Sequence, residues 1–106
     1  MSTVEDNLVT PDTTILETLK IIDTHGVPFG LVHEDGVLRG TVTDGDIRRG
    51  ILAGVSLSDS VAKVMNTTPI TAKIDTPDVD AARLMRRAGI GHLPLIDHAG
   101  KIVDLR

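Results

Sequence analysis

Apolar and polar positions along this chain fall into strand and helix periods that follow one another twice. After a polar stretch, residues 1–7, that reads as loose, Leu8-Val9-Thr10 reads as a short strand stopped by Pro11. Asp12, Thr13 or Thr14 can then cap a helix. Ile15, Leu16, Leu19 and Ile22 recur on one face of that helix, Glu17, Lys20 and Asp23 lie opposite, and Gly26 ends it. A strand is predicted from about Pro28 to His33 through Phe29, Leu31 and Val32. Glu34-Asp35-Gly36 gives a hairpin turn, and Val37 to Val42 the returning strand. Ile47, Ile51 and Leu52 then mark a helix from about Thr43 to Ala53, ended by Gly54.

The order then starts again. Ser58 can cap a short helix containing Val61, Val64 and Met65, closed by Asn66. Pro69-Ile70-Thr71-Ala72 is predicted as a short strand, and Thr76-Pro77 opens a helix with proline near its first turn. Val79, Ala82 and Met85 take one face of this helix, Asp80, Arg83 and Arg87 the other, and Gly89 ends it. His92 to Asp97 is a strand, His98-Ala99-Gly100 a turn, and Lys101 to Leu105 the second strand of a hairpin.

This is an internal repeat. Leu16, Leu19, Ile22 and Gly26 match Val79, Ala82, Met85 and Gly89; Phe29-Gly30-Leu31-Val32 match Leu93-Pro94-Leu95-Ile96; Gly36 matches Gly100. Each unit reads strand–helix–strand–strand–helix and is too small to bury both faces of its sheet. The expected fold is therefore α/β (α+β), with two β-α-β-β-α repeats, residues 1–57 and 58–106, packed together through their sheets. The second repeat stops level with Val42, so it lacks its last helix. The sheet would lose its cover there, and the 106 residues are expected to be a fragment of a longer protein.

Candidate chemistry sits at Gly40-Thr41-Val42-Thr43-Asp44-Gly45-Asp46, where a strand turns into a helix. Unpaired N–H groups and a partial positive charge at a helix start can hold an anion. A carboxylate one turn in, at Asp46, can accept hydrogen bonds from a pair of hydroxyls. Phosphate plus sugar hydroxyls describes a nucleotide. Thr-x-x-Asp also resembles a capping box that binds nothing, and taken alone that is the stronger reading. The second copy changes the balance, because it can supply the opposite wall of a cleft while Thr43 still caps the helix.

Composition narrows the alternatives. The net charge is −4 with no basic run, which argues against a general nucleic-acid binder and against an anionic membrane surface. The absence of cysteine excludes disulfides, thiolate zinc sites and a cysteine nucleophile. No apolar run approaches a membrane span and the N-terminus lacks the regions of a signal peptide, so the cytoplasm is the expected compartment. Phe29 is the only aromatic residue, so a bound flat ring is expected to lie between aliphatic side chains and backbone. His25, His33, His92 and His98 have no metal-ligand spacing, and no metal site is expected. No serine stands in Gly-x-Ser-x-Gly and no Gly-x-x-x-x-Gly-Lys loop occurs, so no catalytic residue is assigned. Arg48 and Arg49 can reach a phosphate from their helix; an exposed helical face is the competing reading.

A tandem repeat with Gly40-x-x-Thr43-x-x-Asp46 at one junction and Ile90-x-x-Leu93-Pro94-Leu95-Ile96-Asp97 in the other copy resembles the cystathionine β-synthase (CBS) domain family. Val64-Met65 before Pro69 matches that family's usual approach to its second repeat, and the resemblance covers essentially residues 8–106. It implies a regulatory pair, a Bateman module, that binds AMP, ADP, ATP or a related adenosyl compound between the copies, requires no cofactor and forms disc-like homodimers. Carried over residue by residue, Asp46 would accept the ribose hydroxyls and Thr43 would contact phosphate. Thr68, Pro69, Ile70 and Thr71 would line the base, and Ile90, Gly91, His92 and Pro94 would close the other side. In the related second cleft Asp104 replaces the equivalent of Gly40; Val9, Thr10, Val27, Pro28 and Gly30 could line it, but its polar anchor is missing. Gly45 to Gly54 also looks like CBS pairs that precede bacterial sugar nucleotidyltransferases, implying a downstream catalytic domain. The alternative is a ligand-free structural module that dimerises a larger enzyme. Direct catalysis is the weakest reading.

Overall fold

The structure is a computed structural model that describes residues 4–24 and 27–106. Its strands are β1 (Leu8–Val9), β2 (Phe29–Glu34), β3 (Val37–Thr43), β4 (Ala72–Lys73), β5 (Pro94–Ile96) and β6 (Ile102–Leu105). Its helices are α1 (Ile15–Thr24), α2 (Asp44–Leu52) and α3 (Asp78–Ala88), with short 3-10 turns at Val4–Asn7 and Val61–Lys63. They build two sheets of one topology. In each, the first strand runs parallel to the middle one and the third antiparallel to it, in the orders β1-β2-β3 and β4-β5-β6.

The alternation along β2 decides how the layers stack. Phe29 and Leu31 point to one face, where Val4, Leu8, Leu38, Ile102 and Leu105 pack on them, joining the two repeats. Val32 points to the other, into a cluster with Val9, Ile15, Val42, Ile47 and Val61 beneath the helices. A strand buried on both faces reads as an unbroken apolar run, as Phe29 to Val32 does. The second sheet buries Leu93 and Leu95 against Ala81 of α3.

Local chemistry explains most boundaries. Thr14 Oγ1 accepts from Glu17 N–H (3.1 Å) and starts α1. Asp35 and Gly36 both have positive φ (52° and 83°), the pair that a two-residue hairpin matched to strand twist requires. Gly89 ends α3 in the left-handed region, at φ 68°. Gly26, expected to end α1, lies outside the described residues.

Several expectations are corrected. Val4–Asn7 is a helical turn rather than loose chain, because Asn7 is fully buried and its Nδ2 donates to Val27 O (3.1 Å) and Phe29 O (3.0 Å). Ser60, not Ser58, caps the short helix, accepting from Ala62 N–H. The strand expected at 69–72 begins only at Ala72. On α1 the inward-facing stripe is Ile15 and Thr18, both buried, with Leu19 and Ile22 half-buried, and Leu16 is exposed. On α3 it is Ala81, Leu84, Met85 and Ala88, while Val79 and Ala82 face solvent. Both stripes follow i, i+3, i+4, i+7 spacing. Apolar residues also stand off the stripes, at Leu16, Val79 and Ala82, so hydrophobicity alone does not single out the inward face.

The two repeats meet about a local two-fold axis, and the same bond is made twice across it. Leu38 N–H donates to Gly100 O (3.1 Å), and Ile102 N–H to Gly36 O (2.9 Å). The ladders shift one sequence match. The register of β2 breaks after Val32 and that of β5 after Leu95, so these two residues correspond, and Phe29 corresponds to His92, one residue earlier than Leu93. The second hairpin turn has an extra residue, which an alignment anchored on Gly36 and Gly100 carries back into the strand.

Candidate functional site

The cleft lies between the repeats, and four segments build it. Strand β3 delivers Thr41 and Thr43 to its floor, and α2 begins at once, placing Asp46 one turn later. Asn66, Pro69 and Ile70 come from the segment approaching β4, and Ile90, Gly91, His92 and Pro94 from the one leading into β5. Pro28 and Phe29 complete the wall at the start of β2. The cavity holds about 310 Å³, within the range of small-molecule sites.

A tight contact fixes the floor. Thr41 and Asn66 exchange both backbone hydrogen bonds, N–H to O at 3.0 and 2.7 Å. Gly40 permits this approach, because a Cβ there would stand 2.6 Å from Asn66 O and 3.1 Å from Met65 Sδ.

The capping box at α2 is fully formed. Thr43 has extended backbone (φ −107°, ψ 168°) and its Oγ1 accepts from Asp46 N–H at 3.1 Å. Thr43 N–H donates to Asp46 Oδ2 at 2.9 Å. The other carboxylate oxygen, Oδ1, accepts from Arg49 Nη2 at 2.8 Å. Asp44 pairs with Arg48 at 3.6 Å, so two carboxylates and two guanidiniums balance at the helix start. The walls are mostly apolar. Ile70 remains 43% exposed there. Phe29 and His92, equivalent residues of the two repeats, meet with ring centroids 5.9 Å apart and planes tilted by 53°.

Of the ten residues singled out in the sequence, eight line this cavity: Thr43, Asp46, Pro69, Ile70, Ile90, Gly91, His92 and Pro94. Thr68 and Thr71 do not. The Thr68 hydroxyl donates to Asn66 Oδ1 (3.2 Å), which holds it aside. Thr71, the next residue after Ile70, lies beyond the cavity lining as the chain enters β4. Four lining residues were missed. Pro28 had been assigned to the other cleft. Phe29, expected from the sequence only as a strand residue, gives the cleft an aromatic wall. Thr41 and Asn66 had no side-chain signal, since their backbone pairing brings them there. Among the described residues, no group of three or more His, Asp or Glu side chains could hold a metal ion. No helix there is long and apolar enough to cross a membrane.

Comparison with known proteins places this architecture. A family model described as the CBS domain matches residues 5–53 and again residues 61–105. The CBS domain-containing protein YhcV of Bacillus subtilis is 34% identical over 104 residues, covering 92% of this chain and 74% of that protein. The arabinose 5-phosphate isomerase GutQ of Salmonella typhi is 33% identical over 69 residues, 65% of this chain but only 22% of the isomerase. Among solved structures, the CBS domain protein PAE2072 from Pyrobaculum aerophilum, complexed with AMP, superposes with a TM-score of 0.81 at 22% identity, covering 100% of this chain and 86% of that one. The CBS domain pair of protein MJ0100, in complex with 5′-methylthioadenosine and S-adenosyl-L-methionine, gives 0.77 at 23% identity, covering 99% and 92%. Two matched repeats, each with its own three-stranded sheet and joined face to face, make this chain a tandem pair of the CBS domain family.

Proposed function

We propose that the cleft binds an adenosine nucleotide, and that the pair senses AMP, ADP or ATP and reports it to an attached domain. One observation carries this reading: a carboxylate, a threonine and the N–H groups of a helix start stand together at the rim of a mostly apolar cleft. Asp46 receives the ribose hydroxyls, Thr43 and the first N–H groups of α2 receive phosphate, and the base lies against Ile70, Ile90, Pro69 and Phe29. Burying the exposed face of Ile70 contributes favourably, at about 25 cal/mol per Å² of apolar area. His92 and Pro94 close the far side. PAE2072 and MJ0100, which share this fold, were solved with adenosyl compounds, and this supports the ligand class.

The pair itself works by binding. A ligand that touches both repeats favours one relative arrangement to the extent that it binds that arrangement more tightly. The attached domain is a catalytic one, a nucleotidyltransferase by the resemblance of Gly45 to Gly54. A matching stretch makes up part of an isomerase in GutQ, which supports attachment of such a pair to a sugar-related enzyme. A second copy of this chain covers the outer helical surface, where Leu52 is 81% exposed.

Thermal unfolding with AMP, ADP, ATP and S-adenosylmethionine tests the reading. A ligand at a hundred times its dissociation constant stabilises the fold by roughly 2.7 kcal/mol. No shift with any of them favours the ligand-free structural module instead.

A further inference from the structure

We infer that Arg49 sets the cleft's preference for a phosphorylated ligand over the bare nucleoside, an inference that rests on the adenosyl reading above. Both carboxylate oxygens of Asp46 are already engaged: Oδ2 by the cap, Oδ1 by Arg49. A ribose diol aimed at Asp46 must therefore share or displace that guanidinium. The arginine can move, because its side chain is 72% exposed while that of Asp46 is only 18% exposed. It also has somewhere to go. Side chains on a helix lean toward its N-terminus. Arg49 Nη1 accordingly lies 3.4 Å from where a Gly45 Cβ would be, and Thr43 Oγ1 lies 3.7 Å from the same point. The guanidinium thus hangs over the helix turn that would face a phosphate.

Charge makes the same point. Asp44 and Asp46 are balanced by Arg48 and Arg49. Without Arg49 the helix start carries two carboxylates against one cation and repels an anion. With it, the guanidinium released by the sugar re-pairs with phosphate, a charge-assisted bond that can be bidentate. A neutral nucleoside gains no such pair and meets Arg49 only as a competitor for Asp46.

Calorimetric titration of the parent chain, R49A and R49K with AMP, adenosine and 5′-methylthioadenosine tests this at low and physiological salt. In R49A, AMP is expected to weaken about tenfold at low salt and less at 0.15 M, where the Debye length is about 8 Å. Adenosine is expected to bind as well as before or better, and R49K to retain part of the AMP preference. Equal weakening of both ligands, or no change in their ratio, overturns the inference while leaving adenosyl binding intact. So does a parent chain that binds 5′-methylthioadenosine more tightly than AMP. A parent chain that binds none of the three removes the adenosyl reading itself, and this inference with it.

Discussion

Asp46 performs as a helix cap what the sequence offered as an alternative to ligand binding. Its Oδ2 holds Thr43 N–H while the cleft opens beside it. The two roles separate by substitution. Asp46→Asn keeps an acceptor for the cap, so its thermal midpoint should stay near the parent's, whereas Asp46→Ala should lose about 1 kcal/mol. Both should weaken AMP binding by roughly tenfold or more, the scale of hydrogen bonds to a charged group. Near-parental AMP affinity in Asp46→Asn would show that the carboxylate is only structural. Gly40 belongs to a sequence motif; its reason appears only in three dimensions, since a Cβ there would come within 2.6 Å of Asn66 O. Gly40→Ala should push the 64–66 segment off β3 and cost roughly 1–3 kcal/mol in urea unfolding. A loss below half a kilocalorie would mean that the segment accommodates it freely.

Elements were legible where a local signal ends them and less so where packing selects a face. The Asp35-Gly36 turn, the Thr43 cap and the Gly89 stop are written in residue types whose backbone preferences admit few alternatives. The buried stripe of α3 was not, because Val79, Ala81, Ala82, Leu84 and Met85 cover a wide arc and only the sheet beneath chooses among them. Neither was Asn7, whose polar side chain gives no hint that it will tie two backbone carbonyls inside the fold. The second hairpin supplies a pH prediction. The Lys101 N–H donates to Asp97 Oδ1 and, with the Ala99 N–H, holds that carboxyl below its ordinary value. A carboxyl depressed on folding contributes stability above its unfolded pKa and loses that contribution as pH falls through the folded one. Below about pH 4 the parent should therefore lose stability more steeply than Asp97→Asn. Parallel acid limbs for the two proteins would contradict the assignment.

Across the whole molecule, the repeat is what made the cleft visible. Neither copy builds it alone: Asp46 and Phe29 come from one, Ile70, Ile90 and His92 from the other. The repeat could be read from sequence because helices, turns and strands recur in order. Its residue-level match in β5 could not, since the extra turn residue displaces it. The outer helices also leave Leu16, Ile51, Leu52 and Leu57 exposed, with Leu16 N–H bonded to Leu57 O. If a second copy covers them, sedimentation should give a dimer that Leu52→Glu dissociates; a parent chain that sediments as a monomer at high concentration would rule this out. The central claim concerns the cleft, and calorimetric titration of AMP into the parent chain and Asp46→Ala tests it most directly. Saturable binding of one AMP per chain, lost or weakened at least about tenfold in Asp46→Ala, is the predicted result. Equal affinity in the two proteins, or no heat of binding in the parent, would contradict it.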